Sequence, residues 1–398
     1  MSTLTGRLKL FQQHHSEFLT ILLLFTLFRL MMLMAYAPPC LLYCSDYLFY
    51  FNVIDLSRQG LYPFLHFWYE FPPVFPYLNL VAYRLAGGVY QNYVSWLGTF
   101  LLLADAGNLA LLYWLGARLY DRSYAAKLCW IYSLLFAPLY IWRSTFDSLT
   151  TFFILLTLYL LVAKRYRLMG LALGVGVMVK YIPIILLPAI WRAAGWRRMV
   201  QAFLLAAVVV LGVFGPFFVL SPRYTLASVQ AQARKSSWQT IWALIDGNYQ
   251  TGSFGPVETR FDPAAATTPA HNPSRVPPVI TLLVFGGIGL YIFTRPVRQS
   301  RERDALLFSA LTMVIFFLWS KGWSPQWQIY LIPLLLLSLS VGEALLYIIS
   351  LSLVNLVEWP VILGRDLTQF LPLTIILRTL IFVLLAVKLY QLLAGRQG

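Results

Sequence analysis

The stretch between residues 44 and 78 concentrates side chains that could carry out acid–base chemistry. It holds three carboxylates, Asp46, Asp55 and Glu70, beside an aromatic cluster and a Pro–Pro pair. In or beside a bilayer a carboxylate is costly, so an acid in such a position is a candidate for function. Asp46 could accept a proton from a hydroxyl nucleophile. The alternative is a loop whose acids only face water, and the residue types leave both interpretations open.

Cations in apolar surroundings form a second group that could neutralise a lipid phosphate. Lys321 directly follows an apolar segment, and Gly322 and Pro325 interrupt any helix at this point. A lysine at the end of a membrane helix can also simply extend to the interface, which is the alternative for Lys321. Lys180 lies in the middle of an apolar run and therefore needs an anionic partner. The candidate phosphate-binding cations are Lys321, Lys180, Arg143 and Arg234.

Aromatic and polar side chains near these charges could contact a sugar. Trp and Tyr rings stack on sugars, but they also form the belt at membrane interfaces, and aromatic residues make up 16% of this chain. We therefore restrict the candidate ring contacts to those beside the acids. Asp147 could bind substrate or could cap the helix that follows it, with Ser144 and Thr145 as competing caps. The candidate substrate contacts are Tyr47, Tyr69, Glu70, Arg143, Asp147 and Gln326.

The elements that position these residues are predicted to be membrane-spanning helices. The chain has 398 residues, of which 60% are hydrophobic and 11% charged, and its mean hydropathy is +0.71. Apolar runs of about 17–25 residues can cross a bilayer as helices, and the alternating pattern of β-strands is absent from the sequence. The first run, 18–37, lacks a small-residue cleavage site and is predicted to be a retained helix. The fold class is therefore an all-α membrane protein, with one multispanning domain over residues 1–398.

We predict about twelve transmembrane helices from these apolar runs. A shorter run, 75–87, is predicted to insert only partly, and the direction of every later crossing depends on that assignment. With both termini in the cytoplasm, nearly every Lys/Arg cluster falls on the cytoplasmic side, as the positive-inside rule requires. The net charge of +15 follows from this asymmetry and does not indicate nucleic acid. The predicted crossings are 18–37, 93–117, 124–142, 149–163, 168–179, 182–190, 199–220, 278–294, 305–320, 326–341, 344–363 and 367–394.

The same topology predicts an active site formed by external loops. Loop 38–74 carries the first acids, and the long polar interval 221–277 is expected to be a lid or an acceptor-binding loop, with helical character over 225–244. Acids, bases and aromatic rings beside lipid suit a substrate that is half lipid and half polar. The charges predicted to meet on the external face are Asp46, Glu70, Asp147, Lys180 and Lys321.

Some kinds of site have no signature in the sequence. Cys40, Cys44 and Cys129 form no metal-ligand pattern. The nucleotide-binding fingerprints GxGxxG after a strand and GxxxxGKS/T are both absent. Since nucleotide sugars are not available outside the cytoplasm, an external site favours a lipid-linked donor.

Short motifs follow one another in a defined order along the chain: Asp46 after the first span, Gly60–Pro63, Tyr69 with Pro72–Pro73, RSTFDSL around Asp147, Lys180–Pro183, and Ser320–Gln326. This order resembles the GT-C fold glycosyltransferases that use polyprenyl-phosphate sugars. The closest resemblance is to the bacterial polyprenol-phosphate-mannose-dependent mannosyltransferases. A more distant one is to the enzyme that adds the first mannose to GPI precursors. The blocks are scattered between Asp46 and Pro333.

The resemblance implies a role for each motif residue. Asp46 would be the catalytic base of an inverting transfer, and Lys321, then Lys180 or Arg234, would stabilise the leaving polyprenyl phosphate. Two departures from the family pattern matter. Only one acid stands at the first motif, so no cofactor is expected and a divalent metal is not indicated. Thr145–Phe146 replaces the Gly-Gln before Asp147, which leaves the role of that acid open.

The sequence therefore predicts a glycosyltransferase of the bacterial cytoplasmic membrane that acts at its outer face. It would move a sugar, mannose by resemblance, from a polyprenyl-phosphate-linked donor to a glycolipid or other glycan acceptor, with membrane lipids as surroundings. A transporter or flippase of a lipid-linked saccharide is the main alternative, but internally repeated halves are not evident. A non-catalytic lipid-binding protein is the third possibility.

Overall fold

The fold consists of α-helices joined by short 3₁₀ turns. The computed structural model describes residues 11–35, 46–142, 144–252, 255–297 and 300–395. Arg143, Cys40 and Cys44, named above, lie outside these ranges. The helices are α1 (Ser16–Ala35), α2 (Tyr47–Asp55), α3 (Val74–Leu85), α4 (Tyr90–Leu119), α5 (Arg122–Leu134), α6 (Phe136–Ile141), α7 (Asp147–Val162), α8 (Tyr166–Val179), α9 (Leu187–Ala194), α10 (Trp196–Leu220), α11 (Pro222–Arg234), α12 (Ile241–Asp246), α13 (Pro278–Phe293), α14 (Arg301–Trp319), α15 (Gln328–Ser338), α16 (Val341–Leu356) and α17 (Leu371–Leu393).

The predicted all-α membrane fold is confirmed by the length and composition of these helices. Within the described ranges, five helical segments are long and apolar enough to cross a membrane: α1, α4, α10, the segment Val341–Arg365 and the segment Thr368–Leu393. Shorter apolar helices, α7, α8, Ile182–Ala194 and α13, add to the bundle. The number of twelve crossings stays a prediction.

Most helix boundaries lie within a few residues of the predicted ones, with one clear exception. The run 124–142 was expected to be a single span, but the chain breaks at Leu135, between α5 and α6, where the backbone is extended. Pro138 explains the break, because it cannot donate the hydrogen bond that would join it to the preceding turn. The break turns α6 away from the axis of α5 and brings it to the wall of the cavity described below.

Interior and peripheral helices differ in what they bury. Every residue of α15 from Gln328 to Leu337 is buried, so this helix forms the centre of the bundle. By contrast, α13 buries only Ile292 among its described side chains, as expected of a helix that faces lipid. Helices α8 and α10 approach closely because Gly170 and Gly174 leave no room for a Cβ against α10, where one would come within 3.0 Å of the backbone or side chains.

The polar segments 46–73 and 221–277 fold against each other. The indole of Trp68 donates to the carbonyls of Thr259 and Asp262 at 3.1 and 3.0 Å, and Arg260 lies over its ring. The interval 225–244, predicted to be helical, contains α11 and α12 with an extended connection between them. That connection pairs with the chain after α14 in a short β-bridge between Trp238 and Gly322.

Candidate active site

The motif residues meet in a cavity of about 750 Å³. Its walls come from the start of α2, the α6–α7 junction, the end of α8, the polar segment 232–252, the chain between α14 and α15, and part of α16. These elements are far apart in the sequence, and the bundle brings their ends together. The described charged residues that line the cavity are Asp46, Asp147, Lys180, Lys235 and Lys321.

Asp46 is a partly buried carboxylate at the start of α2. Its Oδ2 accepts a hydrogen bond of 3.1 Å from the hydroxyl of Tyr50, one turn further along the helix. Burial raises the pKa of Asp46 to about 6; the Tyr50 hydrogen bond lowers it, the charge of Asp147 raises it, and Lys180 and Lys235 lower it. A base with a pKa near the working pH is well suited to general base catalysis.

Lys180 and Asp147 form a buried ion pair at the cavity wall. Lys180 follows the last turn of α8, and its Nζ lies 2.6 Å from Oδ1 of Asp147, the first residue of α7. The hydroxyl of Tyr330 donates to the same carboxylate oxygen. No side-chain capping bond is present at this helix start, so Asp147 pairs with the lysine. Asp147 is thus the anionic partner that Lys180 required. The ammonium is surrounded by aromatic rings at 5.1–5.8 Å from their centroids, namely those of Phe71, Phe146, Trp327 and Tyr330.

Lys321 stands at the cavity on a backbone held by the polar segment. Its carbonyl accepts hydrogen bonds from the Trp238 amide at 3.1 Å and the Thr240 hydroxyl at 2.8 Å. The Trp238 ring covers Gly322, where a Cβ would lie 2.2 Å from the ring, so only glycine fits. No carboxylate among the described residues lies within ion-pair distance of the Lys321 side chain.

The polar segment presents Lys235 to the cavity, whereas the predicted Arg234 is exposed and outside the lining. Lys235 is the first residue after α11, and the turn from helix to extended chain separates the two side chains. The Lys235 Nζ lies 3.9 Å from Oε1 of Glu70 and over the Trp238 ring. Burial lowers the pKa of Lys235, while Glu70 raises it. The helix end after Arg234 was the sequence signal that separated these neighbours.

Three other candidates lie behind the cavity wall. Glu70 is buried and makes two hydrogen bonds, of 2.7 and 2.8 Å, to Arg260, which joins the two polar segments. Tyr69 and Tyr47 are fully buried and are not among the lining residues. Gln326 does line the cavity. Tyr50, Tyr330 and Arg260 were not singled out from the sequence, since their partners are distant in the chain or one helical turn away.

The donor set does not resemble a metal centre. Among the residues that the structure describes, there is no group of three or more His, Cys, Asp or Glu side chains that could hold a metal ion. The cavity acids Asp46 and Asp147 are each engaged by a tyrosine hydroxyl. Cations and a carboxylate of raised pKa instead suit proton abstraction next to an anionic leaving group.

Comparison with known proteins places this cavity in a family context. Residues 89–320, more than half of the chain, match the model of glycosyltransferase family 87. This range contains Asp147, Lys180 and Lys235, whereas Asp46 and Lys321 lie outside it. No curated protein has a significant match to the sequence. Among solved structures, the fold is similar to the crystal structure of ArnT from Cupriavidus metallidurans bound to undecaprenyl phosphate, with 15% sequence identity, a TM-score of 0.46, and coverage of 87% of this chain and 72% of that chain.

Proposed function

The chain belongs to glycosyltransferase family 87, and from this premise we propose that it is an inverting, GT-C-type transferase that uses a polyprenyl-phosphate sugar. In this proposal the donor sugar is mannose, and the acceptor is a lipid- or polymer-linked glycan at the outer face of the cytoplasmic membrane. The observation that carries the proposal is one cavity that holds a carboxylate of raised pKa together with lysines, one of which lacks a carboxylate partner in the described part of the chain.

The reaction needs one proton acceptor and one stabilised leaving group. Asp46 removes the proton from the acceptor hydroxyl while that oxygen attacks the anomeric carbon. The bond from the anomeric carbon to the phosphate oxygen breaks on the opposite face, and the polyprenyl phosphate leaves with the electron pair. Attack from the face opposite the leaving group inverts the configuration. Lys321 stabilises the charge that develops on the phosphate, with Lys235 as a second cation.

The charges of the cavity support a monophosphate donor. Its described lining carries three lysines and two aspartates, which leaves one positive charge. A sugar phosphodiester carries one negative charge and balances it. After transfer, Asp46 holds the proton and the leaving phosphate can carry a second negative charge, so the balance is kept. A diphosphate donor would bring an excess of negative charge into a largely apolar cavity, which is costly.

Apolar walls next to these charges support a lipid-linked substrate. Phe136 and Ile141 of α6 line one part of the cavity, and Leu356 and Trp359 at the end of α16 and just beyond it line another. A prenyl chain can contact such surfaces, while its phosphate remains with the lysines. The polar end would lie at the outer face because the Lys/Arg-rich loops are predicted to be cytoplasmic.

The test is sugar transfer in nanodiscs from radiolabelled polyprenyl-phosphate-mannose to a membrane glycolipid fraction, with arabinose and glucose donors in parallel. We expect transfer by the wild type. Asp46→Asn should bind the donor normally and lower kcat by about 10²- to 10⁴-fold, the usual contribution of a general base. Near-normal transfer by Asp46→Asn would exclude Asp46 as the base. Wild-type protein that binds all three donors without transfer would indicate a lipid carrier or flippase.

A further inference from the structure

A buried ion pair at the ends of α16 and α17 is tied to the polar segment. One guanidinium nitrogen of Arg378 lies 2.6 Å from both carboxylate oxygens of Glu358. The other terminal nitrogen donates to the backbone carbonyl of Gln239, and the Gln239 amide donates to Glu358 at 2.8 Å. All three side chains are almost fully buried. Glu358 lies on a π-helix, Val357–Ile362, that contains Pro360.

Gln239 adopts a backbone conformation that non-glycine residues avoid. Its φ is +50°, in the left-handed region, so surrounding contacts must hold it there. Its side chain also accepts a hydrogen bond of 3.2 Å from Thr251. The contacts with Glu358 and Arg378 supply both a side-chain and a backbone restraint. This one residue therefore joins the ion pair to the connection between α11 and α12.

The residues on either side of Gln239 hold the backbone of Lys321. The Trp238 amide and the Thr240 hydroxyl both donate to the Lys321 carbonyl, and the Trp323 amide donates to the Trp238 carbonyl at 3.1 Å. A change in the conformation of Gln239 would shift both donors at once. The restraint on Gln239 is consequently a restraint on the position of Lys321.

We propose that Glu358 and Arg378 are positioning residues for Lys321 and act through Gln239. They do not line the cavity, and both lie beyond the range that matches the family model. The inference rests on the proposed function, because it takes Lys321 as the ligand of the donor phosphate. Loss of the pair lets the left-handed turn relax, which moves the Lys321 ammonium from the phosphate without removing it.

The test is a double-mutant cycle that measures binding of radiolabelled undecaprenyl phosphate to protein in nanodiscs. Glu358→Gln keeps the size of the side chain and removes its charge. We expect it to raise Kd about tenfold in the wild-type background and by less than about twofold in the Lys321→Ala background, since the coupling of groups that act as one unit is of this size. Gln239→Gly tolerates the positive φ and removes the tether, so it provides the same cycle if Glu358→Gln does not fold.

The matched control is Asp304→Asn, which removes the carboxylate of another buried pair. Asp304 binds Arg192 at 2.8 and 2.9 Å and lies outside the cavity lining. Its Kd should stay within about twofold of wild type even where stability falls. Equal losses in the wild-type and Lys321→Ala backgrounds, or no loss in either tether variant, would overturn the positioning role. If the wild type fails to bind the probe, the proposed function falls and this inference with it; normal binding by Glu358→Gln overturns the inference alone.

Discussion

The buried charges of the bundle and those of the cavity differ in how they are paired. In the bundle, Arg29 contacts Asp105 at 3.2 Å, and Arg192 contacts Asp304 at 2.8 Å, so each cation has one carboxylate. In the cavity, the described lysines outnumber the aspartates, and the Lys321 side chain has no carboxylate partner among the described residues. The same residue types thus occur in closed pairs and in an open set.

This difference shows where a ligand is needed. Removing a charge from water costs several kcal/mol unless an opposite charge and hydrogen bonds compensate, so the bundle supplies its own compensation. A cation without a carboxylate partner in a cavity leaves this compensation to water or to a bound anion. The open set therefore marks the part of the protein that is built to bind, while the closed pairs hold helices together.

The comparison is broken most strongly if the cation of the open set, Lys321, proves dispensable. Lys321→Ala should raise the Kd for a polyprenyl phosphate about 10- to 100-fold, because a hydrogen bond to a charged group contributes about 1.5–3 kcal/mol. Binding of a radiolabelled polyprenyl phosphate in nanodiscs measures this. Arg234→Ala is the matched control, since Arg234 is exposed and lies outside the lining. Its Kd should be unchanged, and an unchanged Kd for Lys321→Ala would remove that lysine from the site.

Helix positions were largely predictable because long apolar runs and their breakers act locally. The span 18–37 and the helix α1 agree within two residues at each end. The fold class and the glycosyltransferase family, predicted from apolar spacing and from motif order, are both confirmed. The error at 124–142 also has a local cause, since Pro138 was visible in the sequence but its effect on the turn before it was not weighed.

The site could be predicted only one residue at a time. Asp147 and Lys180 each stood out in apolar context, but their pairing depends on the packing of α7 against α8, which no spacing reveals. The bidentate pair of Glu70 with Arg260 joins residues far apart in the chain, so Glu70 was expected in the site although it lies behind the wall. Local composition identifies costly groups, and tertiary packing decides which partner compensates them.

A second prediction concerns the pH dependence of the open set. With a pKa of about 6, Asp46 is the base only when deprotonated, so kcat/KM for transfer should fall about tenfold per pH unit below about pH 6. The charged and titratable groups around it are Tyr50, Asp147, Lys180 and Lys235. Tyr50→Phe removes a hydrogen bond that lowers this pKa, so the acidic limb should move to higher pH. An acidic limb at the same pH in both proteins would argue against Asp46 as the titrating base.

The smallest effect on activity is expected where a closed pair is replaced as a unit. Arg29→Met or Asp105→Asn alone disrupts the pair; the first leaves an uncompensated buried charge and should cost about 3–5 kcal/mol, which a thermal melt in detergent detects as a lower Tm. The double variant removes both charges and should recover most of that Tm, because the amide oxygen that replaces the carboxylate can still accept the hydrogen bond that Tyr132 donates to Asp105 at 2.8 Å. Its transfer rate should stay within about twofold of wild type, since closed pairs hold helices and do not contact substrate. A double variant that melts normally but has lost transfer would show that charge in the bundle serves the reaction, and the division between closed pairs and the open set would no longer hold.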